Sequence, residues 1–526
     1  MAAGLLGKFA TVGGATMASR VLGFAREALV GAALGAGPVA DAFYTALALP
    51  NLFRRIFAEG AFNTAFVPLF SKELEGGGHS RAQAFAEDVV SVLVPVLIAI
   101  SVLCMLAMPA IVYLNAPGFA DTPEKFDQTV VMARIMFPYL FCLSIVAMLS
   151  GVLNAMRRYM LAAMAPVLLN VIMVAVLAAT LWLGISENRT GIWLAWGVFA
   201  AGFAQLLLLV WGTRREQFSA LPKRPRLTPQ VKRMLRLMGP AILTGGVLQI
   251  NLFVGQIIAS FQDGARALLN YADRINQLPL GVIGVTIGVV LLPELSRALK
   301  GGEDKTAARL QNRSLEFAVA LTLPAAVALC VIPDVLVALL YERGEFTART
   351  TQLTAWALAG YASGLPAYVG IKVFQPAFFA RLDTRTPFYF SIVMVVVNIA
   401  VSLVLFPLLS PYGLGHVGIA IATSLSAWVN LALLAFTAWR RNQFRPGSDT
   451  LWRLVMIAVA SAAMGAAVYA LDAWLGSDGT AFLADVGRVA VLVATGIAVY
   501  SSIALATGGI DRSLLKAMRR RPKGAA

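Results

Sequence analysis

The chain is short of charge, histidine and cysteine. Only 13% of its 526 residues are Asp, Glu, Lys or Arg, against about 25% in a soluble protein. It has two histidines, His79 and His416, both in expected loops. Metal catalysis and His-based proton transfer therefore have almost no raw material. Three cysteines lie in apolar runs without paired spacing and read as small buried hydrophobes, not as disulfides or metal ligands. A nucleotide-binding P-loop is missing, and no catalytic pattern is present, so the chain does not read as an enzyme. Acids are also scarce, with 27 against 43 basic residues, giving a net charge of +16. No soluble basic domain exists to turn that excess toward nucleic acid.

What is abundant is hydrophobic sequence, at 59% of the chain, in repeated runs near the length of a membrane-crossing helix. Backbone groups in lipid must be satisfied within their own segment, so the runs read as helices. Short alternating segments of the β-barrel kind are missing. The pattern predicts an all-α polytopic membrane protein with fourteen spans, near 9–34, 39–68, 89–114, 130–154, 160–184, 191–212, 237–260, 266–296, 314–340, 352–378, 386–408, 416–438, 452–474 and 485–508. Lys8 and the Gly-rich run after it make a retained first span, not a cleaved leader. Basic residues concentrate in alternate loops, above all 214–236, 297–313 and the tail beyond 511. The positive-inside rule places those loops and both termini in the cytoplasm.

The sequence also repeats. Residues 67–72 (VPLFSK) and the Gly pair after them recur as 292–297 (LPELSR) with Gly301 and Gly302. Ala116-Pro117-Gly118-Phe119 echoes in Arg343-Gly344-Glu345-Phe346, Pro138 in Pro366, Pro166 in Pro387, and Gly191-Ile192 in Gly418-Ile419. The matches keep one order and one spacing, about 220–230 residues. Six helices separate the copies, and an even number keeps them parallel. The expected organisation is an N-terminal lobe at 1–215, a basic linker at 216–236, a C-terminal lobe at 237–440, and a helix pair with a basic tail at 441–526, with a central cavity between the two six-helix lobes.

Charge inside the spans marks the candidate site, because at the bilayer centre each ionised group costs about 2.5–3.5 kcal/mol. Arg20, Arg26 and Glu27 lie in the first span; Asp41, Arg54, Arg55 and Glu59 in the second; Asp273 and Arg274 in the eighth, the repeat counterpart of the second. Arg55 and Glu59 are four apart and read as a local pair, which leaves Arg54 as the better ligand. Asp41 reads as an acid favoured by its own helix N-terminus, as a counter-ion to Arg20 or Arg26, or as a gate residue. Lys372 either snorkels or faces the interior. Gly13-Gly14 and Gly245-Gly246 read as close-packing points. Arginine forks bind oxyanions in bidentate fashion and stay charged, so Arg20, Arg26, Arg54 and Arg274 together point to an anionic, phosphorylated cargo.

Several phrases resemble the MurJ (MviN) lipid II flippases of the multidrug/oligosaccharidyl-lipid/polysaccharide exporter superfamily. They are 19–26 (SRVLGFAR), 40–43 (ADAF), 49–62 (LPNLFRRIFAEGAF), 116–119 (APGF), 137–139 (FPY), 151–154 (GVLN), 271–274 (YADR) and the stretch from Lys372 to Pro387. The resemblance implies lipid II, an undecaprenyl-pyrophosphate glycopeptide, as cargo carried between leaflets of the bacterial inner membrane by a functional monomer among membrane lipids. It maps essential arginines onto Arg20, Arg26, Arg54 and Arg274, and an essential acid onto Asp41. Glu59 and Asp273 become gating or charge-pairing residues, and the last helix pair lines a groove for the lipid tail. Where some relatives carry Lys, this chain has Ala48. No metal or cofactor is implied, and coupling to an ion or to the membrane potential is left open. The alternative reading is an exporter of another polyprenyl-linked glycan, or a cation-coupled drug exporter of the same superfamily.

Overall fold

The computed structural model describes residues 2–55, 62–476 and 482–510, and these form helices and turns without a strand. Nine helices among the described residues are long and apolar enough to cross a membrane unaided. Their outward faces are hydrophobic: on Arg385–Leu409, Val396, Leu403 and Val404 are each more than half exposed. That surface suits lipid and would be a liability in water.

The chain forms two compact units, residues 1–267 with Arg343–Phe346, and Leu268–Glu342 with the rest of the chain from Thr347. The first holds α1 (Ala2–Leu34), α2 (Pro38–Phe53), α3 (Asn63–Leu106), α4 (Met108–Asn115), α5 (Pro123–Met136), α6 (Tyr139–Ala155), α7 (Tyr159–Trp182), α8 (Glu187–Arg215) and α9 (Pro229–Ala259). It also holds the opening of α10 (Ala265–Lys300). Proline in the first turn opens α2, α4, α5 and α9, where its fixed φ is preorganised and its missing N–H is not needed. α3 breaks at Gly78, whose φ of 69° leaves the helical region. Its core is a file of rings, Phe62 on Phe66 at 5.0 Å and Phe66 on Phe85 at 5.7 Å, offset arrangements that aromatic quadrupoles favour. The linker after α8 is strapped to α3. Phe218 is buried edge-on against Phe70, Lys223 Nζ pairs with Glu87 at 2.5 Å, and Lys223 N donates to Ser91 Oγ at 2.7 Å.

The second unit holds the rest of α10, then α11 (Asp304–Val331), α12 (Pro333–Tyr341), α13 (Ala348–Ala362), α14 (Leu365–Phe379), α15 (Arg385–Leu409), α16 (Gly415–Arg440), α17 (Ser448–Leu475) and α18 (Phe482–Ala506). The expected span 352–378 is thus two helices, divided where Ser363-Gly364 meets Pro366. The repeat is visible in these breaks. A short helix, a turn, a helix, a break and a helix run through α4, α5 and α6, and the same order returns in α12, α13 and α14. The last helix pair is built into this unit. Glu316 of α11 accepts from Thr450 Oγ1 at 2.7 Å and from Arg453 at 3.0 Å, and Tyr500 OH donates to Ala320 O at 2.6 Å.

Three sequence expectations change here. His416 is buried in the first turn of α16, its ring nitrogen 3.0 Å from Leu353 O, and His79 lies in α3; neither is in a loop. Gly13 and Gly14 have open space where a Cβ would stand, so they are not packing points. Close approach is found at Gly118, where a Cβ would collide with the Ser260 carbonyl. Of the cysteines, Cys142 is buried but Cys330 is exposed on the apolar helix α11, a surface that lipid tolerates and water would not.

The α14–α15 connection carries a pH-dependent staple. Asp383 accepts from Thr386 N at 3.0 Å, Thr386 Oγ1 at 2.6 Å and Arg441 at 2.7 Å. Partial burial opposes its ionisation, but these donors outweigh it and hold the carboxyl down at about 2. A depressed folded-state value stabilises above the unfolded value of about 3.9, and that contribution is lost as pH falls through the folded one. Asp383→Asn should therefore lower the melting temperature at neutral pH, with the gap from the parent closing between about pH 4 and pH 2 in a thermal-melt series.

Candidate functional site

α1 carries the first charged cluster. Glu27 is buried, accepting from Arg26 Nη2 at 2.5 Å and from Tyr44 OH of α2 at 2.8 Å. The other prong of the same guanidinium, Nη1, donates to Asn170 Oδ1 of α7 at 3.0 Å. Asn170 is in turn fixed by donating to Ser19 O at 2.9 Å, in a space left open by Gly23. Arg54 follows α2 in a π-helical turn, the wider winding frequent at functional sites, and its Nε donates to Asn51 Oδ1 at 3.2 Å. Tyr139 of α6 is buried. Arg20 lies exposed on α1, two turns before Glu27, and Arg55 is exposed. Glu59 lies outside the described residues.

In the second unit, Asp273 accepts from Gln277 one turn along α10. Arg274 beside it is exposed. Lys372 is exposed on α14.

The second cluster of the first unit was not legible in the sequence. Asp41, fully buried, is not the counter-ion of Arg26, which Glu27 and Asn170 hold. It pairs instead with Lys125 Nζ of α5 at 2.8 Å. Its two oxygens also accept from Gly264 N at 2.8 Å and Ala267 N at 3.0 Å, so it caps the start of α10. Lys125 bridges on to Asp263 at 2.9 Å and stands over the Phe119 ring at 4.0 Å. Arg266, 1% exposed, donates to Thr45 Oγ1 at 2.6 Å, Asn115 O at 2.5 Å and Gln256 O at 3.0 Å. Asp41, Lys125 and Arg266 are buried, and Asp263 brings the second negative charge from the surface. The turn closes through Gly264, whose φ of +75° brings it against the Ala36 carbonyl. An open cavity of about 960 Å³, lined by Lys125, Glu187 and Arg189 among others, reaches this cluster. One signal was present: Lys125 and Arg266 are cations in stretches that the positive-inside rule expects to lack them.

An all-helical body with lipid-facing surfaces, an internal repeat and buried Arg–carboxylate networks defines a multi-pass membrane protein of the transporter class. A sequence profile described as "Lipid II flippase MurJ" matches residues 30–483. A "Probable lipid II flippase MurJ" of Rhizobium tropici is 48% identical, over 99% of this chain and 98% of the relative. A "Lipid II flippase MurJ" of Burkholderia cenocepacia is 35% identical, over 84% of this chain and 85% of the relative. The chain belongs to the lipid II flippase MurJ family. Among solved structures, "Lipid II flippase MurJ, inward closed conformation" aligns with a TM-score of 0.75 at 23% identity, covering 94% of this chain and 97% of that one. An inward-facing multidrug resistance MATE family transporter aligns with a TM-score of 0.62 at 16% identity, covering 80% and 94%. Both likenesses are of fold.

Proposed function

We propose that this chain moves lipid II from the cytoplasmic to the outer leaflet of a bacterial inner membrane, by alternating access of its two lobes. Arg20, Arg26, Arg54 and Arg274 receive the pyrophosphate. Asp41, Glu59 and Asp273 gate the path or pair with the arginines. Both termini are cytoplasmic, and the working unit is a monomer without cofactor or metal. The observation that carries this reading is Arg26, held inside the first unit between Glu27 of its own helix and Asn170 of α7. Guanidinium forks bind a diphosphate in bidentate fashion. A negative interior helps an anion outward by about 2.3 kcal/mol per charge per 100 mV, so the membrane potential can drive the cycle with or without an ion.

The test is reconstitution in proteoliposomes with fluorescent lipid II, its leaflet read by an impermeant quencher. Flipping by the parent, lost on replacing Arg26 and Arg274 by Ala, supports the proposal. Unchanged flipping with both replaced removes the arginine cradle. No flipping of lipid II by the parent, with export of another polyprenyl-linked glycan, makes the chain an exporter of that glycan.

A further inference from the structure

An apolar pocket of about 230 Å³ opens in the first unit, and the residues that line it carry no charge. Phe53, Leu93, Leu97, Leu140, Met234 and Met238 wall it, from α2, α3, α6 and α9. Its polar lining group, Ser144 Oγ, is spent on Leu140 O in its own helix at 2.8 Å, so the interior offers hydrocarbon alone. An apolar cavity of this kind stays dry and takes an apolar guest. Its size suits part of one hydrocarbon chain and falls below that of drug-sized sites. The mouth opens at the surface of the unit, where the lining residues Val96 and Leu235 are 47% and 43% exposed.

The rim supplies the second half of the argument. Lys232, Leu235, Arg236 and Gly239 follow one another up a single face of α9, at the three- and four-residue spacing of neighbours on a helix. Leu235 and Gly239 line the pocket, and Lys232 and Arg236 are exposed beside it, with Arg233 adjacent. The helix begins at Pro229 and carries no acid through this stretch. Glu87 on neighbouring α3 is already held by Lys223 and Gln83. The seven steps from Lys232 to Gly239 rise about 10 Å, so cations stand at the membrane surface and the pocket lies directly beneath.

We propose that this is a binding site for one anionic phospholipid, an acyl chain in the pocket and its phosphate on Lys232 and Arg236. The proposal does not depend on the cargo. The probe is phosphatidylglycerol with a photoreactive group near the end of one acyl chain, at trace level in phosphatidylcholine nanodiscs holding the full chain. Irradiation and peptide mapping should place the label on α3 near Leu93–Leu97 or on α9 near Met234–Met238. Excess unlabelled phosphatidylglycerol should suppress it and excess phosphatidylcholine should not. Lys232→Gln and Arg236→Gln should each cut labelling about fivefold, and Leu97→Trp should fill the pocket and abolish it. Arg445→Gln, an exposed cation of the other unit, should change nothing. Three results would overturn the site: label spread evenly over lipid-facing helices, equal suppression by phosphatidylcholine, or indifference to both charge neutralisations. Displacement by lipid II but not by phosphatidylglycerol would overturn the phospholipid assignment and give the pocket to the cargo.

Discussion

Replacing Arg26 by Ala should reduce lipid II flipping by at least tenfold. The expected size follows from the bonds lost. One guanidinium makes two charge-assisted contacts, to Glu27 at 2.5 Å and to Asn170 at 3.0 Å, and hydrogen bonds to charged groups contribute about 1.5–3 kcal/mol each. The same change removes a cation from beside buried Glu27, a loss of about 3–5 kcal/mol when a buried pair is broken. Arg26→Lys separates charge from geometry. A lysine keeps the positive charge but cannot span Glu27 and Asn170 with two planar prongs. If the planar fork is what receives pyrophosphate, Arg26→Lys should keep most of the melting temperature that Arg26→Ala loses, yet flip nearly as poorly. Transport at the parental rate in Arg26→Lys would reduce the role of this side chain to charge alone. Arg26→Ala with Glu27→Gln removes the buried acid together with its partner. Recovery of stability without recovery of flipping would assign Arg26 to the cargo and not to the core.

What the sequence made legible was whatever has a period or a local cost. Helices were readable because 20-residue apolar runs have no other stable form in lipid. The repeat was readable because prolines and Gly-containing turns mark helix breaks, and those breaks return in α12, α13 and α14. Arg26 and Arg54 were readable as charge inside apolar runs. Asp41 was readable as an acid at the start of the second span, but its partner was not. Lys125 lies 84 positions away, and Gly264 and Ala267 lie 223 and 226 away. Pairing over such separations is set by packing and leaves no periodic trace. Lys125 also hid among Asp121, Glu124 and Asp127, where it resembled one more solvated loop charge. Tyr44 was missed because an aromatic in a span reads as packing, and only the fold shows its hydroxyl donating to Glu27.

Lys125→Met should give the second large effect, and it tests the gate. Methionine matches the aliphatic stem and removes only the ammonium. Asp41 keeps the two backbone donors, Gly264 N at 2.8 Å and Ala267 N at 3.0 Å, but its charge is left in a site with no solvent exposure. Breaking a buried pair on one side costs about 3–5 kcal/mol, so a clear fall in melting temperature should accompany a loss of flipping. Lys125→Met with Asp41→Asn is the decisive combination. Asparagine is as good a helix cap as aspartate, and its amide oxygen still accepts from the start of α10 without a charge to desolvate. Stability should largely return in the double variant. Transport then discriminates between two roles for the cluster. If the ion pair only holds the first unit together, flipping returns with stability. If Asp41 must release α10 and recapture it in each cycle, a permanent neutral cap leaves a stable protein that flips poorly. Accessibility of a cysteine placed at Asp263, where the side chain is 76% exposed, would report the same event. It should vary with lipid II supply in the parent and stay constant in the double variant.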